Sequence, residues 1–246
     1  MELKFIHFYP DLMSLYGSYA NVAILKRCAE LLGNTVTVET VTFGDEADIA
    51  SADFLYMGAG TERSQKAALA DFSRFADAVK NAAAKGIPQL YAGTAMDLLG
   101  KSITDAEGNT FDGIGLASFT TVQQNRRIVG DVYGETSLFE EAIVGFINKS
   151  SVISGVESPL LSGMKMGFGN EVEGGAEGFC ENAVFASHLT GPILTKNPRL
   201  LQTVLSAIYA HRGKAAPAAL PSVPYLEEGY AVSAEQLRLR CENTNK

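Results

Sequence analysis

The chain is poor in basic residues and has no long hydrophobic run. Its 246 residues include 20 Lys and Arg against 28 Asp and Glu, which gives a formal net charge of −8. Nucleic-acid binding needs clustered cations to neutralise phosphates, and here basic residues come together only in isolated pairs such as Arg126-Arg127. No apolar stretch approaches the ~20 residues that span a bilayer, and the N-terminus lacks a signal-peptide pattern. We therefore expect no nucleic-acid partner, no membrane span and a cytoplasmic location.

Cysteine and histidine are also scarce, with three of each scattered along the chain. Their spacing fits neither a zinc site nor a disulfide framework, so we expect structural thiols, no metal site and no cofactor. A hydrophobic fraction of 46% and a charged fraction of 20% are typical of a globular protein. The length suits one large domain, or one domain with a small appendage.

The first hundred residues alternate between strand and helix patterns. Helical spacing of apolar residues predicts a helix over Ala20–Asn34 and a long amphipathic helix over Glu62–Lys85. Runs rich in β-forming residues predict strands at Leu3–Phe8, Thr35–Phe43, Ala52–Gly60 and Ile87–Gly93. This alternation indicates an open, mostly parallel sheet that is covered by helices.

The second half of the chain has many glycines and short β-rich runs, which predict antiparallel or mixed strands. A hairpin is expected around Glu107-Gly108-Asn109. The last long helix is predicted to begin at Pro198, with Asn197 as its N-cap. Residues 1–213 are therefore assigned to one domain, and residues 214–246 to a Pro/Ala-rich linker and a C-terminal tail that is either a short helix or loose.

Two loops follow strands at the edge where open α/β sheets bind ligands. Gly58-Ala59-Gly60, in the loop Gly58–Gln65, can point backbone amides at an anion as an oxyanion hole or nest. The alternative is that these glycines merely turn the chain. The motif lacks the third glycine of a dinucleotide fingerprint and the lysine of a P-loop.

The second loop is a strand-turn-helix corner at Gly93-Thr94-Ala95, which in many α/β enzymes carries a nucleophile. It has neither cysteine nor serine, and Thr94 is the only hydroxyl. Nucleophilic catalysis needs a base within hydrogen-bond reach. The sequence favours the simpler interpretation, in which Thr94 caps the following helix.

Five motifs, in order over two hundred residues, resemble one family. They are "YPDLMSLYGSYAN", "MGAGTERSQ", "NRRIVGDV", "VGFINK" and "HLTGPILTKNP". Together they resemble the class I glutamine amidotransferases of the cobyric-acid-synthase-like branch, above all its GatD group, the glutaminase subunits of lipid II isoglutaminyl synthases. The resemblance runs from about Phe5 to Arg212 and implies an α/β fold, a class I amidotransferase-like (flavodoxin-like) mixed sheet with helices on both faces.

The resemblance also implies a site. Substrate-binding positions fall on Gly58, Ala59, Gly60, Gln65 and Arg127, of which Ala59 departs from the family's glycine. The nucleophilic cysteine of the family corresponds to Gly93, or to Thr94 after a shift of one residue, and the catalytic histidine corresponds to Thr190.

With neither catalytic group intact, we expect a degenerate amidotransferase subunit. By resemblance, it supports a MurT-like Mur ligase in the amidation of lipid II D-glutamate, a peptidoglycan precursor, and binds L-glutamine if the site still does so. Three alternatives remain open. They are an active glutaminase that uses Thr94, a relocated pair of Cys180 and His188, and a relative of the cobyric-acid-synthase-like amidotransferases.

Overall fold

The computed structural model, which describes residues 1–172 and 175–244, contains a six-stranded sheet with four strands from the first hundred residues and two from residues 179–187. Its strands lie in the order β10-β11-β4-β3-β1-β2, and all neighbours are parallel except β10 and β11. The bounds are β1 Glu2–Phe8, β2 Thr35–Val41, β3 Phe54–Met57, β4 Gln89–Ala92, β10 Phe179–Glu181 and β11 Val184–Ser187. The predicted parallel sheet is confirmed.

Helices cover both faces of this sheet. The bounds are α1 Ala20–Leu31, α2 Glu62–Phe72, α3 Ala76–Ala84, α4 Ile193–Lys196, α5 Pro198–His211 and α6 Leu226–Thr244. Alternate residues of β1 point to opposite faces. Phe8 therefore packs with Phe72 and the α2–α3 side, whereas Phe5 packs with Leu25 and Val204 on the α1–α5 side.

The long helix predicted over Glu62–Lys85 is interrupted. A 3₁₀ turn at Ser73–Phe75 separates α2 from α3. The Ser73 hydroxyl donates to the Leu69 carbonyl at 2.8 Å, a local bond that competes with the helix and bends it. The bend keeps Phe72 and Phe75 both buried against Phe8. The apolar pattern could not reveal this bend, because it has helical spacing on both sides of the turn.

Most strands of the second half form a separate sheet. Its order is β6-β5-β7-β8, with β9 also paired to β7. The bounds are β5 Ser102–Thr104, β6 Thr110–Asp112, β7 Thr120–Glu135, β8 Ile143–Ser154 and β9 Gly163–Met166. Two of the predicted short strands are one 16-residue strand, β7, whose pairing with β8 shifts register between Gln123 and Ile128.

The predicted hairpin is confirmed as β5–β6. The Asp105 carboxylate closes its turn by accepting from the amides of Glu107 and Asn109, at 3.1 and 2.8 Å. Asn197 occupies the N-cap position of α5, but its side chain makes no capping bond. It pairs instead with the Val144 amide and carbonyl of β8 and ties the helix to the second sheet.

The tail forms the helix α6, which is longer than the predicted short helix and begins within the predicted linker. Leu226 and Leu237 are buried, and Tyr230 Oη donates to the Ala142 carbonyl at 2.8 Å. The last two tail residues, Asn245 and Lys246, lie outside the described residues. The domain boundary at residue 213 stays a prediction. Within the described part of the chain, no helix has the length and apolarity to cross a membrane.

A buried histidine in β1 makes stability sensitive to acid. His7 is 4% exposed and packs against the Tyr56 ring, and its Nε2 has no hydrogen-bond partner among the described residues. Burial lowers the pKa of His7 to about 4. Below its ordinary value of 6.5 the unfolded chain takes up a proton that the folded chain does not, so stability falls as the pH drops from 6.5 towards 4.

We expect His7 to account for about 3 kcal/mol of stability lost over that range, since one pKa unit corresponds to about 1.4 kcal/mol. His7→Gln removes the titrating group and should flatten this part of the stability curve. Urea unfolding between pH 4 and 7 measures it. His211→Gln, at the half-buried end of α5, is the control and should keep the wild-type slope. A slope unchanged by His7→Gln contradicts the assignment.

Candidate functional site

The corner after β4 is a tight, buried turn. The chain leaves Ala92 and enters a 3₁₀ segment, Gly93–Leu99, all of whose residues are buried. Gly93 has a φ of +61°, in the left-handed region that favours glycine. We call Gly93–Leu99 the elbow. It has the sharp strand-to-helix geometry that exposes a nucleophile in other enzymes. At its tip, however, Gly93 has no side chain.

The loop after β3 packs face to face with the loop after β1. A Cβ on Gly58 would lie 2.3 Å from the Met13 carbonyl oxygen, and one on Gly60 would lie 2.4 Å from Met13 Sδ. Both glycines are therefore required by close packing within the chain. This is the simpler of the two interpretations that the sequence left open, and the anion-binding role of the loop stays a prediction.

Two of the three amides that were candidates for an oxyanion hole, those of Ala59 and Gly60, have partners within the chain. The Ala59 amide donates to Ser18 Oγ at 3.2 Å, and the Gly60 amide donates to Thr94 Oγ1 at 2.9 Å. The Thr94 hydroxyl in turn donates to the Gly60 carbonyl at 3.0 Å. Two side-chain hydroxyls thus satisfy the donors that a substrate oxyanion would need.

The prediction that Thr94 caps a helix is wrong. The segment that follows is 3₁₀ rather than α-helical, and no side chain caps it. The Thr94 hydroxyl is used instead in the reciprocal pair with Gly60, across two loops that are distant in sequence. That contact is tertiary, so local propensity could not reveal it.

A buried polar cluster lies behind the elbow. Asp97 Oδ1 is 2.8 Å from His188 Nε2, and Asp97 Oδ2 accepts from Gln65 Nε2 at 2.7 Å and from Ser151 Oγ at 3.1 Å. Gln65 also donates to the Thr94 carbonyl at 2.7 Å. Gln65, predicted to bind substrate, therefore connects α2 to the elbow from inside the core.

The other face of His188 meets a second buried carboxylate and a lysine. Glu177 accepts from the His188 amide at 2.7 Å and from the Ser187 hydroxyl at 2.7 Å. Lys149 Nζ lies 3.5 Å from His188 Nδ1 and donates to the carbonyls of Gly169 and Asn170. Burial lowers the pKa of Lys149 to about 8, although the nearby carboxylates of Glu177 and Asp97 raise it.

His188 is thus held by Asp97 and not by Cys180. The Cys180 thiol lies on β10, and burial raises its pKa to about 11, which disfavours the reactive thiolate. Thr190, at the position that corresponds to the family histidine, donates its hydroxyl to the Phe146 carbonyl at 2.9 Å. The arrangement supplies no activated nucleophile to this edge of the sheet within the described residues.

Arg127 lies apart from the elbow, in the irregular part of β7. It forms an ion pair with Glu62, and its Nε donates to Asn148 Oδ1 at 2.9 Å. Asn148 donates in turn to the Tyr16 hydroxyl at 2.9 Å, and Glu62 accepts from Ser150 at 2.8 Å. Arg127 and Glu62 line a surface cleft of about 270 Å³. The structure therefore brings together four of the predicted substrate positions and places the fifth in this cleft.

Sequence reasoning missed Asp97, Lys149, Glu177 and Ser18. The one available signal was the acidic residue in the otherwise apolar elbow stretch "AMDLLG". A fully buried aspartate requires partners, but only the fold identifies them.

Breaking the buried cluster should cost much stability. Asp97→Asn removes the negative charge that faces His188 and lies near Lys149, and we expect a loss of about 3 kcal/mol. Urea unfolding midpoints measure the change, with Asp112→Asn in the exposed strand β6 as the matched control. Equal midpoints for the two variants would contradict a structural role for the cluster.

Comparison with known proteins bears on this site. The family model of the CobB/CobQ-like glutamine amidotransferase domain matches residues 4–198. The chain is 31% identical over 215 residues to the GatD subunit of lipid II isoglutaminyl synthase (glutamine-hydrolyzing) of Streptococcus pneumoniae, covering 85% of this chain and 82% of that protein. It is 27% identical over 212 residues to the Staphylococcus aureus protein of the same name, covering 86% of each.

Solved structures agree on the fold. The chain aligns with PurLQS from Thermotoga maritima at a TM-score of 0.56 and 14% identity, covering 86% of this chain and all of that one. It aligns with a glutamine amidotransferase at a TM-score of 0.52 and 16% identity, covering 82% and 98%. The predicted class I amidotransferase-like fold is confirmed, and the chain belongs to the CobB/CobQ-like glutamine amidotransferase family.

Proposed function

We propose that this chain is a GatD-like amidotransferase subunit that has lost glutamine hydrolysis. It supports a MurT-like Mur ligase in the amidation of lipid II D-glutamate, and the ligase then depends on free ammonia. The two curated relatives, both named as glutamine-hydrolyzing GatD subunits, support the assignment to this complex. The loss of activity is argued from the site of this chain alone.

The observation that carries the proposal is Gly93 at the tip of the elbow. Amide hydrolysis by this family needs a thiolate to attack the carbonyl carbon, and a base to take the thiol proton and pass it to the departing ammonia. Gly93 supplies no nucleophile, and the Thr190 hydroxyl is committed to the Phe146 carbonyl. Removing one member of such a catalytic unit already removes most of the rate.

An active site built on Thr94 is the second candidate, and its surroundings argue against it. The Thr94 hydroxyl donates to a backbone carbonyl and accepts from a backbone amide. A general base would have to replace the carbonyl as the acceptor of its proton. His188 is hydrogen-bonded to Asp97 instead.

A cobyric-acid-synthase-like role is the third candidate. The matching family model is described as a CobB/CobQ-like glutamine amidotransferase domain. The opening stretch "YPDLMSLYG" and the two GatD relatives favour the peptidoglycan assignment.

A docking surface for the ligase is offered by the loop after β1. Two tyrosines of this loop are exposed, Tyr16 by 44% and Tyr19 by 58%, and Leu15 beside them is 38% exposed. We call these three residues the aromatic patch. The Tyr16 carbonyl lies close to Gly191, so the patch adjoins Thr190, the position that corresponds to the family histidine. Exposed tyrosines on a loop are good candidates for binding hot spots. Met13, from the same loop, is buried and belongs to the core.

The purified protein should release no ammonia from L-glutamine, alone or with its ligase, because nucleophile and base are both absent. A coupled ammonia assay measures this, and the Streptococcus pneumoniae relative serves as the positive control. Turnover of about 1 per second or more, an ordinary enzyme rate, would contradict the proposal. In that event Thr94→Ala tests the second candidate, and unchanged turnover would exclude the threonine mechanism.

Truncating the aromatic patch should weaken the complex without unfolding the chain. We expect Tyr19→Ala to reduce affinity for a MurT-like ligase by about tenfold or more, the usual effect of losing a hot-spot side chain. Co-purification and titration measure binding, and the melting temperature reports folding. Tyr225→Ala, 83% exposed at the start of α6, is the control. Wild-type affinity in the Tyr19 variant would remove the patch from the interface.

A further inference from the structure

At Gly93 the elbow faces one residue of the loop after β3, Ala59. A Cβ built on Gly93 would lie 2.6 Å from Ala59 Cβ and 3.3 Å from Ala59 Cα, and the third-nearest atom also belongs to Ala59. Two Cβ atoms at 2.6 Å are far inside van der Waals contact, so one of them must move. Ala59 is therefore the immediate obstacle to any side chain at position 93.

Ala59 cannot move away at low cost. Its amide donates to Ser18 Oγ at 3.2 Å, and its carbonyl accepts from the Leu15 amide at 2.8 Å. The next residue, Gly60, is held by Thr94 through both its amide and its carbonyl. The obstacle is a methyl group on a pinned backbone and not the end of a flexible side chain. Relief would require at least one of these buried hydrogen bonds to break.

We propose that Ala59 is the residue that closes the elbow. Its methyl group occupies the space that a side chain at position 93, or a ligand atom bound at that turn, would need. Closure then depends on two positions, 59 and 93. A single substitution at Gly93 cannot restore a nucleophile, whereas glycine at position 59 makes room for its side chain. The proposal rests on the proposed function, because a site that hydrolysed glutamine would have to be open here.

A double-mutant cycle tests the coupling. Gly93→Ala adds only the Cβ, and it is made both in the wild type and in an Ala59→Gly background. Gly86→Ala is the matched control, because Gly86 has a φ of +73° and nothing within 4 Å of its added Cβ. It therefore measures the cost of left-handed backbone strain alone. Melting temperatures are compared for all variants, with ammonia release measured in parallel.

We expect Gly93→Ala to lower the melting temperature by at least twice as much as Gly86→Ala. In the Ala59→Gly background, the effect of Gly93→Ala should shrink to about that of Gly86→Ala. If Gly93→Ala fails to fold, recovery of a folded double variant supports the proposal, and a double variant that also fails overturns it. An equal loss with alanine or glycine at position 59 also overturns it.

Different outcomes reject the closing role of Ala59 and the proposed loss of glutamine hydrolysis. A cycle without coupling rejects the closing role of Ala59 and leaves the absence of hydrolysis to the ammonia assay. If the wild-type protein releases ammonia from L-glutamine and the coupling between positions 59 and 93 is intact, the proposed function is rejected. The interpretation of the closure as a mark of lost hydrolysis is then rejected too.

Discussion

The carboxylate of Asp97 is the constraint on which the candidate site depends. It is fully buried, and it bonds His188 at the end of β11, Ser151 of β8 and Gln65 of α2. A charge removed from water is tolerated only when its oxygens find donors in good geometry. Asp97 therefore fixes the elbow against three other elements and joins the six-stranded sheet to the second sheet. The shape of the elbow follows from this arrangement more than from the local preference of its residues.

Asp97 holds the elbow from the buried side. On the opposite side, backbone amides of the loop after β3 are hydrogen-bonded to side chains of the same chain. Ser18 and Thr94 accept the hydrogens of the Ala59 and Gly60 amides, and Thr94 returns a hydrogen to Gly60. A catalytic oxyanion hole keeps such donors directed at the position where negative charge develops. Here the amides of Ala59 and Gly60 already have partners within the chain. Binding a substrate would require the exchange of formed internal bonds for new ones, with little net gain.

The fold was predictable because its signals are local and periodic. Runs such as Thr35–Val41 and the apolar spacing of Ala20–Leu31 identify their elements without tertiary information. The absence of cysteine and serine from Gly93-Thr94-Ala95 is also visible in the sequence. The break at Ser73 was not predictable, since it depends on one side chain bonding back to the helix. Nor was the role of Thr94, whose partner Gly60 lies 34 residues away.

The buried cluster shows the same limit more strongly. His188 and Asp97 are separated by 91 residues, and Lys149 enters from the other sheet. Of these residues only His188 was weighed as a catalytic candidate, because sequence alone cannot distinguish a reactive histidine from one with satisfied partners. Burial and hydrogen bonds distinguish them, and here both identify a structural role.

Enzyme sites commonly hold polar groups unsatisfied and backbone strained, at a cost in stability. At this elbow the residue with positive φ is a glycine, which bears little strain, and the neighbouring amides have partners. Selection for hydrolysis would oppose an unstrained glycine at the elbow and amides that already have partners. Selection for a rigid binding partner would favour both. The exposed aromatic patch lies on the loop that packs against Gly58 and Gly60, so the proposed closure would also hold the surface beside it. A preorganised surface loses less entropy on association, and this physical reason links the proposed closure of the site to the proposed role in assembly.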